Sequence, residues 1–197
     1  MVSLLQLIRL AYAFDCVAFS ALSLNLNLAL PALIFSNKSQ LDRATHFEEH
    51  ATGELALFRK NGYQNNDLRD ELTRLKVLIN QIKSTDDQTR LQYLSNQYDV
   101  LSNTIHDNIM EGYEFMVQKI TCVEEARQLA IDAQKVVEKL RKEGKVKQAD
   151  ELQSNISDLH AIIYQLVGAE SPEELSLVVP IYEEFKHKVE QEMKQVV

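Results

Sequence analysis

The residues best suited to chemistry are His46, Glu49 and His50, which fall within the five-residue run His-Phe-Glu-Glu-His. Histidines four positions apart face the same side of an α-helix, so their imidazoles can share one metal ion. A glutamate between them can act as the general base of a metal-assisted hydrolysis. This spacing makes the three residues candidates for zinc binding.

The same run resembles the H-x-x-E-H zinc signature of inverted zinc peptidases. Those peptidases are large α+β proteins with a further metal-binding glutamate on another helix, whereas this chain has 197 residues and a helical pattern from Gln40 onward. Glu124 and Glu125 are acidic, but nothing in the sequence positions them as that ligand. We therefore expect two surface histidines beside acidic residues, with no cofactor and no catalytic activity.

Other chemical motifs are incomplete. A di-iron bundle requires two Glu-x-x-His motifs, and the chain has one, from Glu184 to His187. His106 and His160 follow the helical periodicity next to apolar positions, which predicts half-buried helix residues. Cys16 and Cys122 lack the C-x-x-C spacing of zinc modules, and buried free thiols are favoured over a bridge between them.

The charge of the chain argues against nucleic-acid binding. Its 29 acidic and 21 basic residues give a formal net charge of -8, and phosphate backbones are bound chiefly by an excess of Lys and Arg. One basic cluster is interrupted by Glu143 and is expected to be a solvated hairpin tip. It comprises Lys139, Arg141, Lys142, Lys145 and Lys147.

The apolar periodicity predicts an all-α fold, a bundle of about six heptad-patterned helices. From Gln40 onward, apolar residues recur at alternating spacings of three and four, and only 5 Gly and 3 Pro interrupt the chain. The earlier stripes are Leu41, Ala44, Phe47, Ala51, Leu55 and Phe58; Leu68, Leu72, Leu75, Ile79 and Ile82; Leu91, Leu94, Tyr98, Leu101 and Ile105; and Ile109, Tyr113, Met116 and Ile120.

The clearest unit is an antiparallel helical hairpin around Gly144. Two helices of about 22 residues on either side of it follow the 3,4,3,4,3 spacing of knobs-into-holes packing. The stripe ahead of the turn is Val123, Ala126, Ala130, Ala133, Val137 and Leu140, and the stripe behind it is Ala149, Leu152, Ile156, Leu159, Ile163 and Leu166.

Helix boundaries are indicated by capping and breaking residues. Asn61 with Gly62 ends the first helix, residues 121–124 form a capping box that predicts a helix start, and Gly168 ends the hairpin. Residues 171–174 form a second capping box, with proline at the first helical position. A shift in periodicity near Gly112 predicts a bend or a change of packing partner.

The final helix contains Pro180, which predicts a kink near residues 176–180. Its apolar face is Leu175, Val178, Tyr182, Phe185, Val189 and Val196. Tyrosines at helical spacings are expected in the core or at its edge; they are Tyr93, Tyr98, Tyr113, Tyr164 and Tyr182.

Residues 1–36 form an apolar segment with two charges, Arg9 and Asp15. It fits a signal peptide poorly, because Arg9 comes late and Asp15 interrupts the apolar run. Residues 16–35 have the length of a membrane span but contain Asn25, Asn27 and Pro31. A signal, an anchor and a helix buried within the protein all stay open, and glycan acceptor triplets begin at Asn37 and Asn155.

These patterns predict two parts, the apolar segment at residues 1–36 and a helical bundle at residues 40–197. The favoured function is a non-catalytic scaffold or adaptor that binds other protein helices, with self-association included. The alternative is a secreted or membrane-associated protein that binds or inserts into lipid through residues 1–36. Localisation stays open, with the cytoplasm slightly favoured.

Overall fold

A computed structural model describes residues 37–196 of the chain, and the side chains of residues 41–195. Within that range the protein is all-helical, which confirms the predicted fold class, but the helices number five and not six. They are α1 Asn37–Lys60, α2 Asn66–Lys83, α3 Gln88–Lys142, α4 Val146–Gly168 and α5 Pro172–Val196.

Arg43–Val197 forms one compact unit, which contains α2 to α5 and most of α1. The interpretations of residues 1–36 lie outside the described residues, so the proposed division at residues 36 to 40 stays a prediction.

The missing sixth helix is explained by α3, which runs unbroken for 55 residues from Gln88 to Lys142. The predicted helix start at Thr121 is wrong, because Thr121 lies in the interior of this helix. No Gly or Pro occurs between Gly112 and Gly144 to stop it. Both neighbours on the C-terminal side, Cys122 and Val123, are buried, so tertiary packing favours the continuous helix over the local capping signal.

Two different sets of helices pack along α3. Its N-terminal half packs against α2, and its C-terminal half packs against α4 and α5, which also contact each other. The shift in periodicity near Gly112 therefore marks the predicted change of packing partner. The predicted kink at Pro180 stays a prediction, with Pro180 inside the continuous α5.

The hairpin between α3 and α4 has the predicted turn and the predicted buried residues. Gly144 adopts a φ of 76°, a left-handed conformation that favours glycine, and it follows the end of α3. All the residues predicted for the two flanking stripes are buried; on α3 they are Val123, Ala126, Ala130, Ala133, Val137 and Leu140, and on α4 they are Ala149, Leu152, Ile156, Leu159, Ile163 and Leu166.

The other boundaries follow from local capping. Gly62, with a φ of 74°, ends α1 as predicted. Asn65 caps α2 by accepting a hydrogen bond from the Leu68 amide at 2.8 Å. The predicted start of α5 is confirmed: Ser171 Oγ accepts from the Glu174 amide at 3.3 Å, and the Glu174 carboxylate accepts from the amide of Glu170 at 2.8 Å.

An aromatic cluster joins the end of α1, the loop after it and the middle of α3. The Phe58 ring lies edge-on to the rings of Tyr63 and Tyr113, with centroids 5.4 Å away in both pairs. Gly112 provides the space for this contact, because a Cβ atom there would lie 2.6 Å from the Phe58 ring and 2.8 Å from Tyr63. Gly112 is therefore the position at which the Phe58 and Tyr63 rings pack closely against α3.

Burial of Tyr63 predicts a loss of stability at alkaline pH. Burial, and secondarily the nearby carboxylate of Glu111, raises the pKa of Tyr63 from 10.0 to about 12. The unfolded chain therefore ionises this phenol first, and stability present below pH 10 is lost as the pH rises to about 12, by about 2 kcal/mol. Denaturant unfolding at several pH values should show this decline, and Tyr63→Phe should show a shallower one. Equal slopes for the two proteins would contradict the assignment to Tyr63.

Candidate protein-interaction groove

The histidine candidates lie on the solvent-facing side of α1. His46, Glu49 and His50 are all exposed, and His50 Nε2 lies 3.6 Å from Glu54 Oε1. Among the side chains of residues 41–195, no group of three or more His, Cys, Asp or Glu residues is arranged to hold a metal ion. The acidic residue considered as a distant ligand, Glu125, instead forms an ion pair with Lys186 at 2.7 Å.

The other reactive side chains do not converge on one site. His106 and His160 are exposed, which corrects the prediction that they are half-buried, because both point away from the stripes of their helices. Cys122 is a buried free thiol whose pKa is raised by burial. Tyr182 is fully buried, and its hydroxyl has no hydrogen-bond partner among the described residues.

The hairpin tip and the second glycan triplet have structural explanations. The basic cluster at the tip is solvated as predicted, with ion pairs from Arg141 to Asp150 at 3.5 Å and from Lys145 to Glu143 at 2.8 Å. Asn155 is buried in α4 and donates a hydrogen bond to the Glu192 carboxylate of α5. Folding therefore hides this acceptor amide from a glycan.

A groove of about 790 Å³ runs between α2 and the N-terminal half of α3. Its lining combines four aliphatic side chains with mostly uncharged polar ones. The lining residues are Glu71, Thr73, Arg74, Val77, Leu78 and Gln81 from α2, and Tyr93, Asn96, Gln97, Val100, Leu101 and Thr104 from α3.

Three large apolar side chains of the groove are strongly exposed. Val77 is 54% exposed, Tyr93 61% and Val100 69%. The predicted core or core-edge position of Tyr93 is wrong, because Tyr93 lies off the buried stripe that contains Leu91 and Leu94. Isolated exposed apolar residues are common on protein surfaces. The grouping of these three in one groove indicates a surface against which another apolar surface can pack.

Tyr164 on α4 is also exposed, at 79%, and corrects the same prediction there. It follows the buried Ile163 and so points away from the core. Tyr182 is buried as predicted, and Tyr98 and Tyr113 are half-buried at the core edge.

Several polar groups of the groove have hydrogen-bond partners within its own two helices. The hydroxyls of Thr73 and Thr104 donate to carbonyls four residues earlier, at 3.0 and 3.1 Å. The Gln97 amide donates to the Tyr93 hydroxyl at 2.9 Å. Since these groups keep their partners when water leaves, an apolar surface can cover them at a small desolvation cost.

The groove opens on the side of the α2–α3 pair that α1 does not cover. From the opposite side, Phe47 of α1 contacts Tyr98 with ring centroids 6.4 Å apart, and Glu48 pairs with Lys76 at 3.4 Å. Helical spacing places Val100 about 200° around α3 from Tyr98 and Val77 about 100° around α2 from Lys76, so both side chains point away from the contacts with α1. Among the described residues, α1 therefore packs on one side of the α2–α3 pair, and the side with the groove is open to solvent.

Sequence reasoning missed this groove because it was based on the buried stripes. The available signal was that Val77 and Val100 are apolar but fall between stripe positions. Comparison with known protein families, curated proteins and solved structures found no match.

Proposed function

We propose that this protein is a non-catalytic scaffold or adaptor that binds a helix of a partner protein in the α2–α3 groove. The supporting observation is the grouping of Val77, Tyr93 and Val100 on one open groove between two helices. An amphipathic helix that inserts its apolar face there would complete a four-helix arrangement with α1, α2 and α3.

The dimensions of the groove suit a short helix. Its lining spans residues 93–104 of α3, or about 17 Å at 1.5 Å per residue, which corresponds to about three helical turns. A second copy of this chain is one candidate source of that helix, in line with the self-association expected from the sequence.

We propose further that the α3–α4 hairpin packs as an antiparallel coiled coil with heptad stripes. The support is that the buried residues on both helices recur at spacings of three and four around Gly144. In this proposal the hairpin is the structural part of the protein and the α2–α3 groove is its binding part.

A competing proposal assigns a secretory or membrane role to residues 1–36, and it is supported by their apolar composition. No helix in the described part of the chain is long and apolar enough to cross a membrane. The two proposals make different predictions for the groove, because a membrane role of the N-terminal segment does not require Val100.

We expect Val100→Asp to abolish partner binding and to leave folding intact. Val100 is 69% exposed, so the aspartate stays solvated in the free protein but is buried without a partner when a helix covers the groove. Photo-cross-linking from residue 100 of the full chain in its native cells, followed by mass spectrometry, identifies the bound segment. Residue 131 is the matched control, because Ile131 is an α3 residue with 53% exposure outside the groove.

The cross-links distinguish the sources of the helix. Links from residue 100 to one segment of another protein support an adaptor, and links to a second copy of the chain support self-association. Equal cross-linking from residues 100 and 131, or binding that survives Val100→Asp, would contradict the proposal.

A further inference from the structure

The charges in the groove specify the chemistry of the partner helix, and this inference rests on the proposed function. Of the twelve lining residues, only Glu71 and Arg74 are charged, although 25% of the chain is charged. The remaining ten side chains offer no charge with which a charged partner residue could pair.

Glu71 and Arg74 differ in their own contacts. The Glu71 carboxylate accepts a hydrogen bond from the Asn108 amide at 2.6 Å and is half-buried. Arg74 is exposed and makes no ion pair among the described residues. Arg74 is therefore the lining residue whose charge is left to a partner.

Covering the groove removes water from one side of the Arg74 guanidinium. A carboxylate on the partner replaces that water, because a guanidinium and a carboxylate form paired, charge-assisted hydrogen bonds. Away from Arg74, and from Glu71, whose carboxylate already accepts a hydrogen bond from Asn108, a charge on the partner's contact face would lose water without gaining an opposite charge. Charge complementarity thus favours a single acidic residue on an otherwise uncharged contact face.

We propose that the groove selects an amphipathic helix with an aliphatic stripe, uncharged flanks and one carboxylate facing Arg74. The aliphatic stripe covers Val77 and Val100. Since Arg74 precedes Val77 by three residues on α2, the carboxylate lies about one turn from the partner residue that covers Val77. Arg74 is then the residue that determines specificity.

The test uses the full-length chain and two stapled helical peptides of three to four turns. Both peptides carry leucines at i, i+3, i+4 and i+7 with glutamine and serine flanks. They differ at a single position, one turn from the leucine that is meant to cover Val77, which holds Glu in one peptide and Lys in the other. Fluorescence anisotropy measures both dissociation constants. We expect the Glu peptide to bind about two- to fivefold more tightly, the range for a solvent-accessible ion pair, with the difference reduced in high salt.

Arg74→Glu should reverse the preference and favour the Lys peptide. The matched control is Arg90→Glu, which changes the net charge equally at an exposed α3 position outside the groove lining, and it should preserve the preference for the Glu peptide. A preference that persists in the Arg74 variant would overturn the inference.

The outcomes separate this inference from the groove proposal. Peptide binding that is lost in Val100→Asp but shows no preference between Glu and Lys overturns the carboxylate assignment and leaves the groove proposal standing. Absence of binding by either peptide also overturns the inference. The cross-linking from residue 100 judges the groove independently of both results.

Discussion

Leu152→Asp should lower the free energy of unfolding by about 3–5 kcal/mol. Leu152 is 3% exposed in the buried stripe of α4 that faces α3, so the substitution removes apolar packing and buries an unpaired carboxylate. A loss of this size is a large part of the total stability of about 5–15 kcal/mol that is usual for a domain. Urea denaturation followed by circular dichroism measures the loss.

The matched control for Leu152→Asp is Ser154→Asp. Ser154 lies two positions further along α4 and is exposed, so the same carboxylate stays in water and should change stability by less than about 0.5 kcal/mol. If the Leu152 variant unfolded at the same urea concentration as the wild type, the packing of the hairpin around Gly144 would be wrong.

Gly112→Ala and Gly53→Ala should change stability in opposite directions. Alanine has the higher helix propensity, which alone favours either substitution by about 1 kcal/mol. A Cβ at residue 53 meets no atom within 4 Å, so Gly53→Ala should stabilise the protein. A Cβ at residue 112 would lie 2.6 Å from the Phe58 ring, which is fully buried.

Gly112→Ala should therefore destabilise the protein by about 1–3 kcal/mol in spite of the gain in helix propensity. Thermal and urea unfolding of the two variants, compared with the wild type, measure both effects. Stabilisation by both alanines would mean that the aromatic cluster yields to a methyl group and that Gly112 is not required for packing. Phe58→Leu in the Gly112→Ala background, by shortening the opposing side chain, should recover part of the loss.

The sequence predicts the fold class, and it predicts those core residues that lie on a periodic apolar stripe. Leu75, Leu159 and Val137 are fully buried at predicted stripe positions because one apolar face on each helix leaves few ways to pack. The helix ends at Gly62 and Gly144 are predictable for a separate reason. Both glycines have a positive φ, and few other residues adopt that conformation.

The continuation of α3 through Thr121 was not predictable, because the capping box at residues 121–124 indicates a helix start. A capping box stabilises a helix start by a modest amount, and this chain gains more by burying Met116, Cys122 and Val123 along one continuous helix. The shift in periodicity near Gly112 similarly predicts a bend or a change of packing partner, while the close packing of Gly112 depends on Phe58, which lies 54 positions away in the chain.

The groove was beyond sequence reasoning because it is defined by which helix faces remain open. Periodicity identifies the residues that each helix buries, but the exposed positions of Val77, Tyr93 and Val100 follow from α1 packing on the other side of α2 and α3. The histidine run shows the converse: its spacing suits a metal, but the positions of His46 and His50 on a solvent-facing surface depend on the tertiary fold.

The unbroken length of α3 fixes the rotation angle between the α2–α3 groove and the α3–α4 hairpin. The helix is about 80 Å long at 1.5 Å per residue, and it carries the groove near one end and the Gly144 turn at the other. Each residue turns a helix by about 100°, so inserting a single residue between Gly112 and Cys122 would swing the groove by that angle around the axis of α3 relative to the hairpin. A partner helix that binds the groove as proposed would therefore be held at a fixed distance and a fixed rotation angle from the hairpin tip.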